Sequence, residues 1–291
     1  MNNKQLGILC ALFAAVFNSM IGIFSVNIMN IGMGPYAVAF YKCLIGLVIL
    51  TSWLICSKQF LKWLKFIRKF WWQLPITSFF GFFVMYFFET TAYHYEKVTV
   101  VVFVLLGTAT IISFALSSFF NRSLPNRYDI FSCSCALIGL GLIFGLSDAT
   151  NSSYQGVGLA LLAGVGYGAF IILSKQFNIG SGMIVVNGLM FFGTIYLAVP
   201  FVYEGVVGIN NLNSLVQLLL LSLLPTIGGF WCTTKAISLL KGETVQLLEL
   251  SEPVFSLLLS FIFLSQILNL WQLLGGAVII LSIFIHKKAS T

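Results

Sequence analysis

The feature that most constrains this chain is a run of about 20 apolar residues that recurs from one end to the other between short polar breaks. Twenty residues of helix rise about 30 Å, the thickness of a bilayer's hydrocarbon core. Apolar side chains make up 59% of the 291 residues and charged ones only 8%, against about 25% charged in a soluble domain. No water-soluble fold hides that much apolar surface, so the expected class is an all-α integral membrane protein. Hydropathy separates ten transmembrane helices, near Gln5–Val26, Pro35–Cys56, Trp72–Tyr93, Val98–Phe119, Tyr128–Leu146, Gln155–Phe177, Met183–Tyr203, Leu212–Thr234, Thr244–Leu264 and Leu270–His286. The first run has full span length and no cleavage site ahead of a soluble domain, so no cleavable leader is expected.

A net charge of +7 raises the question of nucleic acid. Placement of the charges answers it. With a cytoplasmic N-terminus, the inside loops hold Lys4, the five basic residues from Lys58 to Lys69, Arg122, Arg127, Lys175, Lys235, Lys241, Lys287 and Lys288. Only Lys97 falls outside, beside the acidic Glu96, Asp148 and Glu204, and only Lys42 falls within a span. That asymmetry predicts both termini cytoplasmic, in a multi-pass protein of a bacterial inner membrane. It accounts for the basic excess without a nucleic-acid partner. Within the longest inside loop, Lys58, Lys62, Lys65 and Lys69 share one helical face, and Phe60, Leu64 and Ile67 another. The pattern predicts an amphipathic helix on the anionic inner leaflet, the alternative being a basic loop that only sets topology. The six cysteines form no CxxC pair and lie in or beside apolar runs, so neither a metal site nor a disulfide is expected. No phosphate-binding loop is present, and no cofactor is implied.

Self-comparison reveals a repeat. Thr90, Ala92, Lys97 and Val101 match Thr234, Ala236, Lys241 and Val245 at one constant offset. Gly7, Ala11, Leu12, Ala14 and Val16 match Gly156, Ala160, Leu161, Ala163 and Val165 at another. Two halves of five spans, 1–149 and 150–291, follow. An odd span count makes the second copy enter from the opposite side, the inverted repeat of many secondary transporters. From Ala236 onward, the turn Lys241-Gly242-Glu243, the mid-span Glu252-Pro253 and the run Gln272-Leu273-Leu274-Gly275-Gly276-Ala277 resemble the closing half of an EamA-type repeat of the drug/metabolite transporter superfamily. Residues 93–144 resemble the same pattern. The resemblance implies ten helices in two inverted five-helix bundles, a central cavity, and alternating access for small metabolites.

Polar residues at membrane depth point to the site, because each is costly there. Glu252 lies about 12 Å into the ninth span, and Glu249 one turn nearer the cytoplasm on the same face. Pro253 removes a backbone donor and frees a carbonyl. A carboxyl so placed can exchange a proton for a substrate cation; the alternative for Glu249 is a structural pair with Lys235 or Lys241. In the first half the counterpart of Glu252-Pro253 is the uncharged Thr108-Ala109. Lys42 in the second span and Glu89 in the third are placed to form an ion pair, either bracing the bundle or forming an outer gate. Asn18 and Tyr167 fall at mid-depth, and Trp231, Tyr86, Phe83 and Thr108 are candidate cavity walls for a cationic head. Five glycines, Gly156, Gly158, Gly164, Gly166 and Gly168, give the sixth span a smooth face for close packing.

The leading expectation is a secondary transporter, not an enzyme, moving an amino acid, amine or related metabolite by alternating access, as a monomer or weak homodimer, with proton-coupled export as the mode considered first. Competing readings are an importer of a quaternary amine and a nucleotide-sugar exchanger. A membrane-embedded enzyme would want a His/Asp/Glu cluster that neither His94 nor His286 supplies. The last alternative is a non-transporting assembly subunit.

Overall fold

The computed structural model describes residues 2–122, 126–144, 153–205, 208–209, 211–256, 258 and 270–289. Asp148 and the far half of the ninth expected span, 259–264, lie outside these residues. Among the described residues every regular element is helical. Six helical runs are long and apolar enough to cross a membrane, namely Asn3–Asn30, Pro35–Cys56, Val100–Asn121, Tyr154–Gln176, Met183–Glu204 and Leu212–Leu239.

In chain order the helices are α1 (Asn3–Asn18), α2 (Ile21–Asn30), α3 (Pro35–Cys56), α4 (Phe60–Lys69), α5 (Gln73–Ser78), α6 (Met85–Tyr95) and α7 (Val98–Asn121). They continue as α8 (Arg127–Phe144), α9 (Tyr154–Gln176), α10 (Met183–Glu204), α11 (Leu212–Leu221), α12 (Phe230–Leu239), α13 (Gly242–Glu249) and α14 (Leu270–Ala289). A π-helical segment, Phe79–Val84, joins α5 to α6, and another, Ser222–Gly229, joins α11 to α12. The offset between Thr90 and Thr234 carries the first segment onto the second. In the second the cause is visible. Pro225 has no N–H for the Leu221 carbonyl, and the Thr226 hydroxyl donates to that carbonyl instead, at 2.9 Å.

Two expected continuous spans are broken. The first stops at Asn18 and restarts at Ile21; the ninth stops at Glu249, turns through Leu250-Ser251 and resumes over 252–256. Pro253 explains the second break, since it lacks the N–H that would bond the Glu249 carbonyl. A serine completes each turn: Ser19 Oγ donates to the Val16 carbonyl and Ser251 Oγ to the Leu248 carbonyl, both at 2.7 Å. Ser256 Oγ then donates to the Ser19 carbonyl at 3.5 Å, so the helical segment after the second break touches the first break. Unwound backbone at this depth is tolerated only where it is buried in protein or lines a cavity.

Small residues set the packing. α3 packs on α10, α8 on α14, α9 on α7 and α6, and α1 on α12. A Cβ at Gly164 would lie 2.5 Å from the Leu105 carbonyl oxygen, and one at Gly168 would lie 2.6 Å from that of Ala109. α9 therefore rides on the backbone of α7, with van der Waals contact and not hydrophobic exclusion as the main attraction. Gly158 has open space beside it and takes no part. The basic helix α4 covers a shorter stretch than Lys58–Lys69: Lys58 adopts a left-handed turn, φ 56°, ahead of it. Its buried anchor is Trp63, which meets Phe191 edge-on with centroids 5.8 Å apart, while Leu61 is exposed.

Candidate functional site

The broken helices deliver the central polar groups. Glu249 is the last residue of α13 and is fully buried. Tyr167 on α9 donates its hydroxyl to Glu249 Oε2, and Thr233 on α12 donates to Oε1 at 2.7 Å. Asn18, the last residue of α1, donates through Nδ2 to the Tyr167 hydroxyl at 3.5 Å. The Asn18 Oδ1 is buried without a hydrogen-bond partner; a Cβ at position 229 would come within 2.6 Å of it, so Gly229 is what leaves it room. These bonds stand in place of the lysine pair weighed above as the structural alternative for Glu249. Neither Lys235 nor Lys241 holds it, because α13 turns its carboxyl inward to α9 and α12.

Glu252 sits one turn further along, 8% exposed, and no described residue hydrogen-bonds or ion-pairs with its carboxyl. On the other side, Lys42 of α3 lies 3.6 Å from Glu89 Oε2 of α6 and donates to Thr90 Oγ1 at 3.2 Å. Its ammonium also stands 3.7 Å from the centroid of the Tyr86 ring, a cation–π contact in a dry site. The Tyr93 hydroxyl donates to Glu89 Oε1 at 3.1 Å, one helical turn away.

One cavity connects the two groups. It is lined by Asn18, Ile21, Met85, Glu89, Tyr167 and Glu252, with three apolar residues of α7. Its volume of about 10 Å³ is the room of a single water molecule. The region therefore holds three buried carboxyls, Glu89, Glu249 and Glu252, against one ammonium, Lys42. A buried carboxylate without a counter-charge is costly, so such an arrangement favours taking up a positive charge.

Three candidate walls lie elsewhere. Trp231 is exposed on the outside of the bundle, because α12 turns Cys232, Thr233 and Ala236 inward. Thr108 packs on α9, its Cβ 2.6 Å from where a Gly164 Cβ would be. Phe83 borders a separate, more open hollow with Tyr36 and Phe87. Conversely, Thr233, Thr90 and Tyr93 belong to the polar network and were not singled out from the sequence as site residues. Tyr93 could have been found from its spacing to Glu89; Thr233 could not, since its contact with Glu249 spans two helices. Among the described residues no group of three His, Cys, Asp or Glu is placed to hold a metal.

Comparison with known proteins now bears on these features. The model of the EamA-like transporter family matches residues 5–145 and again residues 154–286. The chain belongs to the EamA-like transporter family. It is accordingly an integral, multi-pass membrane protein from a family of transporters, not of enzymes. A solved crystal structure, described simply as that of a protein, covers 97% of this chain and 96% of its own at a TM-score of 0.80. Identity is 14%, so the likeness concerns the fold alone. No curated protein matches.

Proposed function

We propose that the protein is a secondary active transporter for a small cationic or zwitterionic metabolite, an amino acid or amine, exchanging it for protons by alternating access. The observation that carries this reading is Glu252: a buried carboxyl, unpartnered among the described residues, facing a cavity it shares with Glu89. Glu252 would take the proton or the substrate cation. Glu249, fixed by Tyr167 and Thr233, would hold the second charge, with Asn18 offering its free acceptor to the ligand. Lys42, its ammonium held over the Tyr86 ring, would keep Glu89 neutralised until the cavity opens. In this reading the cavity belongs to an occluded state, since one water fills it.

Alternating access would arise from two inverted five-helix repeats, 1–149 and 150–291, with both termini on the cytoplasmic side of a bacterial inner membrane. The repeat-related π-helical segments and the pairing of α3 with α10 and of α8 with α14 support this arrangement. On that topology α4 would lie on the anionic inner leaflet, its basic residues toward the headgroups. A nucleotide-sugar exchanger fits less well. Its anionic substrate would need free cations, and Lys42 is held by Glu89.

The test is a substrate panel in proteoliposomes, comparing amino acids, amines and nucleotides with and without an imposed pH gradient. Uptake of an amine or amino acid that rises with the gradient is expected. Uptake of nucleotides alone, or no response to the gradient for any cation, would overturn the reading.

A further inference from the structure

A second concave feature has no part in the carboxylate site. A groove of about 770 Å³ opens between α1, α13 and α14, walled by apolar side chains such as Ile8, Leu12, Leu247, Phe255 and Ile283. Its mouth is different. Lys4 at the start of α1, Lys175 near the end of α9 and Lys241 just ahead of α13 all line it, and no described acidic residue does. Lys175 is held in place by donating to the Ile237 carbonyl at 2.9 Å. From Lys4 to Leu12 is about 12 Å of helix, close to the roughly 15 Å depth of one leaflet's hydrocarbon. The groove is thus nearly as deep as one leaflet's hydrocarbon, with apolar walls and a cationic end. Lysine stems of this kind reach to the interface with their charge in the polar layer.

We propose that this groove binds one anionic phospholipid, with an acyl chain along α1 and α13 and its phosphate on Lys4, Lys175 and Lys241. Charge complementarity selects the headgroup, and the apolar walls select a lipid over a free anion. The groove also reaches Ser251, in the turn that separates Glu249 from Glu252. A bound chain would therefore pack against the back of the turn that positions both carboxyls.

Native mass spectrometry of the full chain in detergent, titrated with phosphatidylglycerol or phosphatidylcholine, tests this. One equivalent of phosphatidylglycerol should bind about a hundredfold tighter than phosphatidylcholine, since each of the three lysines contributes about fivefold. K4Q/K241Q should lower phosphatidylglycerol affinity by about 25-fold and leave phosphatidylcholine unchanged. L12W, which fills the groove, should weaken both. K62Q/K65Q on α4 should leave the first equivalent intact. Equal binding of the two lipids by the wild-type protein would overturn the proposal even if a variant fails to fold. So would displacement of the lipid by inorganic phosphate, which would mark a free-anion site, or loss of the first equivalent in K62Q/K65Q, which would assign it to α4.

Discussion

Glu89 and Glu252, one from each half of the chain, border a single cavity in which, among the described residues, Glu89 alone has a cationic partner. Lys42 answers Glu89 at 3.6 Å, while the Glu252 carboxyl has no partner among the described residues.

Replacing Glu252 with Gln should abolish substrate flux and leave folding intact, because the carboxyl makes no described bond that a neutral amide would break. Proteoliposome flux and size-exclusion profile together check this. A Glu252→Gln protein that transports at the wild-type rate would refute the central role of that residue.

Lys42 and Glu89 should behave as a unit. Lys42→Met alone strands a buried carboxyl and is expected to cost about 3–5 kcal/mol. The double variant Lys42→Met/Glu89→Gln should recover most of that loss. Thermal unfolding in detergent measures the cycle; additive single and double effects would show that the pair is not coupled.

Glu249 depends on its two hydroxyl donors. Tyr167→Phe and Thr233→Val should each weaken the site by about 1.5–3 kcal/mol if the carboxyl is charged. The expected readout is a rise of ten- to a hundredfold in the substrate concentration for half-maximal flux, with little change in expression. Unchanged flux in both variants would make Glu249 a packing element.

Gly164→Val should damage the fold rather than the chemistry. The added methyls would run into the Leu105 carbonyl and Thr108, an overpacking expected to cost about 1–3 kcal/mol or more. Gly158→Ala is the control, with nothing within 4 Å of its Cβ, and should fold normally. Equal melting temperatures for the two would contradict the close α7–α9 approach.

Much of the architecture was written locally. Runs of apolar residues define helices in any bilayer because the backbone has no other partner there, so the all-helical fold and the family pattern needed no tertiary knowledge. The proline after Glu252 was equally legible, since it acts on its own backbone, whereas which α9 glycines meet α7 was not: Gly164 and Gly168 do and Gly158 does not. Contacts between distant segments were not. Hydropathy averages over a window, so it passed straight over the two-residue breaks at Ser19-Met20 and Leu250-Ser251. It also gave no azimuth, and so placed Trp231 toward the cavity when α12 faces it outward. Composition cannot distinguish an aromatic facing lipid from one facing a ligand; only the neighbours decide.

What the sequence determined by itself is therefore that two carboxyls fall within an apolar run in the second half of the chain, where burial makes them costly. Tertiary structure decided which of them is satisfied. Hydrogen bonds from Tyr167 and Thr233 occupy Glu249, Lys42 answers Glu89, and Glu252 faces the cavity without a described partner. The physical reason is that a hydrogen bond acts over about 3 Å between groups that the chain separates by whole helices, and only packing brings them within that range.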